Sequence, residues 1–119
     1  MAPSAQYKEY VLEQLQQIDP ARASRFFGGV GLYREGAQFA MMIGNCLYFV
    51  VDDATRPRYE QAGMQAFSYL TKNGRIQVRR YFQLPQEILD DTEQLRVWTN
   101  EATVIAKRSP PKKSNGRSK

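Results

Sequence analysis

Two short apolar segments, each preceded by a glycine, constrain the fold of this chain more than any other feature. Residues 39–43 and 47–51 are long enough for strands and too short for free-standing helices. Gly36 stands before the first segment and Gly44 between the two, as tight turns require. We therefore predict three consecutive strands within residues 25–53, and their short connections favour antiparallel pairing.

Two long helices and two short ones are predicted around these strands, the long ones from apolar periodicity and the short ones from residues suited to helix ends. Apolar residues recur every three or four positions over residues 4–18 and again over residues 95–105. Residues 55–62 predict a short helix, because Thr55 is a suitable N-terminal cap and a glycine follows the segment. Pro85 is suited to begin a single helical turn before the last helix.

A second hairpin is predicted after the short helix, from strand-like residues 66–70 and 75–82. Asn73 and Gly74 lie between its strands and predict a type I′ turn, which needs positive φ at both central residues. Strict alternation places Arg80 on the apolar side of the second strand, where an unpaired charge is costly. We expect a bulge beside it, or a position at the sheet edge, to relieve this conflict.

The predicted element order is α-β-β-β-α-β-β-α, with an extra turn before the last helix. This order predicts an α+β domain over residues 1–106, with helices packed on one face of a mostly antiparallel sheet. Residues 107–119 are rich in proline, small polar residues and positive charge, so we expect a disordered tail. The tail holds six of the 17 basic residues and no acidic one, which leaves 11 basic against 12 acidic residues and a net charge of −1 on the domain.

Motifs that follow one another along most of the chain resemble those of a known family. They comprise Phe27, Gly28, Gly29 and Gly31 in the segment FGGVGLY, Asp52 and Asp53 in VDD, and the later segments RPRY, FSY and YFQLP. Through these motifs the chain resembles the N-terminal domain of the TfoX/Sxy competence regulators. We expect a single-domain member of that family.

The resemblance implies a two-layer fold similar to that of the secretion chaperones. It also implies a regulatory role without catalysis, and it carries no catalytic residue over to this chain. In two-domain members this domain precedes a helical C-terminal domain, and together they promote competence gene expression alongside the cyclic-AMP receptor protein. The resemblance therefore favours a bacterial regulator that acts in transcription or DNA transformation through protein contacts.

The residue types that usually carry chemistry favour no enzyme. The chain has no histidine, which removes the usual proton shuttle and the commonest metal ligand. Gly28, Gly29 and Gly31 open a strand and not a helix, so we predict a bulge there, or backbone that approaches an aromatic neighbour, and no phosphate cradle. Asp52 and Asp53 are expected to point to opposite sides of a strand end. We predict no catalytic residue, cofactor or metal; a small-molecule or metal enzyme would need an unusual site without histidine.

Arginines and the basic tail supply the candidate contact surfaces. The candidate residues are Arg56, Arg58, Arg75, Arg79 and Arg80 on the domain, and Lys107, Arg108, Lys112, Lys113 and Arg117 in the tail. The arginines either pair with local acids on a solvated face or recognise an acidic protein or a phosphate backbone. The tail is either a solubilising segment or a phosphate-binding arm.

Two functional hypotheses follow from these surfaces. The preferred one is a non-enzymatic adaptor that acts through protein contacts, with homodimerisation through the sheet as an option. The alternative is a nucleic-acid-binding accessory protein that uses the tail and the arginine-rich face. The single cysteine, Cys46, the lack of an apolar leader and the lack of a run of about 18 apolar residues predict a cytoplasmic protein without a membrane span.

Overall fold

A computed structural model describes residues 2–18, 21–26 and 28–108. Its helices are α1 (Ala5–Gln16), α2 (Arg56–Gln61), α3 (Gln86–Leu89) and α4 (Thr92–Arg108). Its strands are β1 (Arg22–Phe26), β2 (Gly29–Arg34), β3 (Ala37–Ile43), β4 (Cys46–Val50), β5 (Ala66–Thr71) and β6 (Gly74–Gln83). The strands form one antiparallel sheet in the order β1-β2-β3-β4-β6-β5, so the domain is α+β as predicted.

The main core lies on one face of the sheet. Register pairs Leu32 with Ala40, Ala40 with Phe49, and Phe49 with Phe82, so these four buried side chains form a row across four strands. Buried residues from every helix join this row: Val11 and Leu15 of α1, Tyr59 of α2, Leu89 of α3, and Leu95, Trp98, Ala102 and Ala106 of α4. Burial of this apolar surface is the main stabilising contribution to the fold.

The structure has six strands where the sequence predicts five. The additional strand, β1, pairs with β2 from Arg22 to Phe26 at one edge of the sheet. Four of its five residues are exposed, so the segment lacks the apolar alternation by which strands are usually detected. Its pairing with β2 is a property of the assembled sheet, which explains why the sequence predicts strands only from residue 25 onward.

The turns at Gly36 and Gly44 are confirmed, but the predicted type I′ turn at Asn73 is wrong. Gly36 (φ 81) and Gly44 (φ 59) both adopt the conformation that favours glycine. In the last hairpin Thr71 pairs with Gly74, so Lys72 and Asn73 are the central residues, and neither has positive φ. The Thr71 hydroxyl accepts a hydrogen bond from the Asn73 N–H and donates one to the Gly74 carbonyl, which stabilises a different turn.

The predicted irregularity beside Arg80 is present. Ala66 of β5 pairs with Phe82, but the next residue, Phe67, pairs with Val78, so β6 accommodates three extra residues at 79–81. A bulge of this kind re-aims side chains and breaks strict alternation. Arg80 thereby lines a charged cleft and is half-buried.

β6 extends past the end of β4. β4 pairs with β6 only from Tyr81 to Gln83, whereas β5 pairs with β6 back to Gly74. Residues 67–79 therefore form a two-stranded projection, here called the ribbon. At its base, the Phe67 ring packs edge-on against Tyr48, with the two ring centroids 5.3 Å apart.

Candidate functional site

A charged cleft of about 310 Å³ lies where the turn after β4, the start of α2, the bulge of β6 and the end of α4 meet. We call it the arginine cleft. Its lining residues are Val51, Asp52, Asp53, Arg56, Arg80, Ile105 and Arg108. The three arginines come from three different elements, and the backbone N–H of Val51 donates to the Arg80 carbonyl at 2.8 Å, which joins the turn after β4 to β6.

Asp52 is the fixed point of the cleft. Its Oδ1 accepts hydrogen bonds from the N–H groups of Ala54 (3.1 Å) and Thr55 (2.9 Å), and its own N–H donates to the Thr55 hydroxyl at 3.1 Å. Its Oδ2 accepts from Nη2 of Arg108 at 3.1 Å. Burial alone would raise the pKa of Asp52, but the hydrogen bonds from Thr55 and Ala54, with the charge of Arg108, lower it below its ordinary value.

Asp53 is held much less firmly. Its Oδ1 accepts from Nη1 of Arg56 at 2.6 Å, yet the Asp53 side chain is 99% exposed. Arg56 is mostly buried by comparison, and its Nε donates to the Arg79 carbonyl at 3.2 Å. Both aspartates line the same cleft, so the prediction that they point apart is wrong. The reason is that β4 ends at Val50, and strand alternation does not apply in the turn that follows.

The Asp52 carboxylate makes the stability of the fold depend on pH. Because the folded state lowers the pKa of Asp52, this group stabilises the fold above its unfolded pKa of 3.8, and the contribution is lost as the pH falls through the folded value. We expect Asp52→Asn to lower the free energy of unfolding by about 1 kcal/mol at neutral pH. Urea titrations at neutral and acidic pH check this. A difference between the two proteins that persists undiminished in acid would contradict it.

Arg58 has a structural role and does not line the cleft. Its guanidinium carbon lies 4.0 Å from the centroid of the Trp98 ring of α4. Its Nη2 donates to Oε1 of Glu101, which also belongs to α4. A cation over an indole face is a favourable arrangement, more so where water is excluded. Arg58 therefore ties α2 to α4, and we assign it no partner contact.

Other candidate basic residues are engaged by local acids or polar groups. Arg79 lies 3.7 Å from Glu60, and Lys107 lies 2.6 Å from Glu35. Nη1 of Arg75 donates to the Ser68 hydroxyl at 2.8 Å. Lys107 and Arg108 belong to α4, whereas Lys112, Lys113 and Arg117 lie outside the described residues.

The ribbon presents apolar groups and positive charge together. Tyr69, Leu70 and Ile76 are large exposed hydrophobic residues, and Leu70 is the most exposed of them at 71%. The ribbon contains Lys72, Arg75 and Arg79 but no acidic residue. A basic surface with exposed apolar anchors is typical of a site that binds an acidic protein segment.

The two edges of the sheet differ in charge. β1 carries two arginines, a common device against unwanted strand pairing, whereas β5 (AFSYLT) carries no charged residue. The β5 edge is therefore the one that is open to an added strand.

Most of these features lie in a part of the chain that matches a known family. The model of the TfoX N-terminal domain family matches residues 13–105. The chain belongs to the TfoX N-terminal domain family. The matched span includes the whole sheet, the ribbon and every residue of the arginine cleft except Arg108. No curated protein matches the chain.

The glycine motif of this TfoX N-terminal domain is structural. Gly28 has a φ of 75° and follows β1, while Gly29 opens β2 so close to β3 that a Cβ would lie 2.1 Å from the Met42 carbonyl oxygen. A Cβ on Gly31 would meet Tyr33 at 3.2 Å and Phe26 at 3.3 Å. The predicted approach to an aromatic neighbour is confirmed at Gly31, whereas Gly29 approaches the backbone of β3 instead; the motif residue Phe27 lies outside the described residues.

The described residues of the TfoX N-terminal domain contain neither a helix suited to cross a membrane nor a group of potential metal ligands. In residues 2–18, 21–26 and 28–108, no helix has the length and apolar character that crossing a membrane requires. In the same residues, no three potential ligands among Cys, Asp and Glu come together in a group that could hold a metal ion.

Proposed function

We propose that this TfoX N-terminal domain is a non-enzymatic regulatory adaptor whose ribbon binds an extended, acidic segment of a protein partner. The observation that carries the proposal is the ribbon itself, in which exposed Tyr69, Leu70 and Ile76 stand among basic residues with no acid between residues 61 and 86. Membership in the TfoX N-terminal domain family, together with the resemblance of the motifs to the TfoX/Sxy competence regulators, supports a regulatory setting in transcription or competence.

Strand addition at β5 supplies most of the affinity in this mechanism. An extended peptide that pairs with a sheet edge gains main-chain hydrogen bonds, and alternate side chains select the sequence. Leu70 and Tyr69 then provide apolar contacts on the two faces of the strand, which alternate along it. Lys72, Arg75 and Arg79 attract acidic side chains and increase the association rate.

The alternative function is phosphate-backbone binding by the tail, and one observation favours it: residues 107–119 hold six basic residues and no acid. Against it, Lys107 lies 2.6 Å from Glu35 and Arg108 lies 3.1 Å from Asp52, so a phosphate backbone would have to compete with these local carboxylates at the start of the basic arm. Counterion release by the remaining charges would give binding that falls steeply with salt. The adaptor function predicts partner binding that survives removal of residues 109–119.

Site-specific photocrosslinking in cells tests the adaptor function. A photoreactive residue in place of Tyr69 is expected to capture a discrete protein through an acidic segment, identified by mass spectrometry of the linked peptide. Val104 on α4 is exposed to a similar degree and serves as the matched control position. The same products from both positions, or a linked segment without acidic residues, would overturn the proposal.

A negative charge on the open edge should weaken the captured complex. Leu70→Glu removes an apolar contact and places a carboxylate against the acidic segment, so it is expected to weaken partner binding at least about tenfold, which corresponds to about 1.4 kcal/mol. Val97→Glu alters an apolar, exposed position on α4 and should leave binding unchanged. Equal losses in both variants, or binding lost on removing residues 109–119, would favour the tail and not the ribbon.

A further inference from the structure

We propose that the arginine cleft is a binding site for the phosphate group of a small phosphomonoester. The site lies apart from the ribbon's apolar residues, and the inference does not depend on the adaptor function. Three arginines line the cleft, and a guanidinium group offers several N–H donors in a planar fork that matches phosphate oxygens.

The balance of charge in the cleft favours one anionic group. Three arginines against two aspartates leave a net charge of +1 among the lining residues. The three positive groups sit on separate elements, at Arg56 in α2, Arg80 in β6 and Arg108 in α4. A single tetrahedral phosphate can accept hydrogen bonds from arginines on three elements, whereas the further phosphates of a polyanion would add repulsion from the two carboxylates.

The two carboxylates differ in how easily a ligand displaces them. Asp52 is locked by backbone hydrogen bonds from Ala54 and Thr55. The Asp53 side chain is 99% exposed where it pairs with the mostly buried Arg56, so water competes for its carboxylate and the pair contributes little net stability. An incoming phosphate therefore exchanges with Asp53 at the Arg56 guanidinium, while Asp52 keeps the turn in place.

The dimensions of the cleft limit the ligand to a small molecule. A volume of about 310 Å³ is at the lower end of the range for ligand pockets. Val51 and Ile105, both buried, form the apolar part of the wall and can contact a short carbon skeleton. The ligand class that fits these features is a compact organic phosphate.

NMR titration of the full chain tests the proposal with glycerol 3-phosphate, inorganic phosphate and a 5′-phosphorylated oligonucleotide as probes, at constant ionic strength set with chloride. Glycerol 3-phosphate should give saturable shifts of the amide signals of Asp53, Arg56 and Arg108. Shifts that do not saturate below about 10 mM, or that chloride reproduces, would overturn the site. Tighter binding of the oligonucleotide at the same amides would overturn the assignment to a small ligand.

Two substitutions give effects of opposite sign. Arg56→Gln should weaken phosphate binding about tenfold, while Arg75→Gln, on the ribbon, should leave it unchanged. Asp53→Asn should strengthen binding about threefold, because it removes the carboxylate that competes for Arg56. Asp53 is fully exposed, so this variant is expected to fold normally. Weaker or unchanged binding by Asp53→Asn would contradict the exchange that the proposal requires.

Discussion

Gly29→Ala is expected to destabilise the domain by about 3 kcal/mol, a cost at the upper end for overpacking a well-packed site. The added Cβ would lie 2.1 Å from the carbonyl oxygen of Met42 and 2.8 Å from Cδ1 of Ile43. The Ile43 side chain can rotate away, but the Met42 carbonyl is part of β3, adjacent to β2 in the sheet. Relief would require the two strands to separate in the middle of the sheet.

Urea unfolding followed by circular dichroism measures this effect, and Gly31→Ala is the matched control. A Cβ at Gly31 would first meet Nε2 of Gln38 at 3.0 Å, the far end of a side chain that can move. We expect this control to lose only about 1 kcal/mol. Equal losses in both variants would show that close approach to the β3 backbone is not what requires a glycine at position 29.

Tyr59→Ala should cost about 4 kcal/mol, in the range for removal of a large aromatic group from a core. Tyr59 is 1% exposed and is the residue through which α2 reaches the core. Its ring lies edge-on to Trp98 with the centroids 4.7 Å apart, and 6.3 Å from the ring of Phe82. The cavity would remove contacts with both α4 and β6, and α2 is too short to be stable by itself.

Tyr59→Phe separates the contribution of the ring from that of the hydroxyl. This variant keeps the aromatic contacts and should lose only about 1 kcal/mol, the usual value for one hydrogen-bonding group. Thermal or urea denaturation of both variants provides the comparison. If Tyr59→Ala were no more destabilising than Tyr59→Phe, the ring contacts of α2 could not be an important part of the core.

Local features of the sequence predicted local structure well. Gly36 and Gly44 specified their turns because positive φ is a property of one residue and its neighbours. The bulge at Arg80 was predicted because a charge on the apolar side of a strand conflicts with the pattern around it. β1 was missed because its side chains are exposed, and its hydrogen bonds depend on a neighbour that is already in the sheet.

The arginine cleft could not be predicted in the same way. The sequence shows all of its charged residues, but as three separate features: an aspartate pair, an arginine face and a basic tail. They meet because α4 returns across the sheet and brings Arg108 to Asp52, which is 56 positions earlier in the chain. No periodicity within a single segment carries that information. The conflict at Arg80 was the one signal that pointed toward the cleft.

In the ribbon, the affinity for a partner is separated from the stability of the domain, two quantities that are coupled in most small domains. A two-stranded hairpin is marginally stable alone. β4 pairs with β6 only from Tyr81 to Gln83, so the ribbon consists of β5 and β6 without a third strand. Its amides can therefore exchange with solvent through local opening, while the sheet and its core exchange only on global unfolding. A partner that adds a strand would close this opening. Selection could then adjust partner affinity through the ribbon while the stability of the domain stays constant.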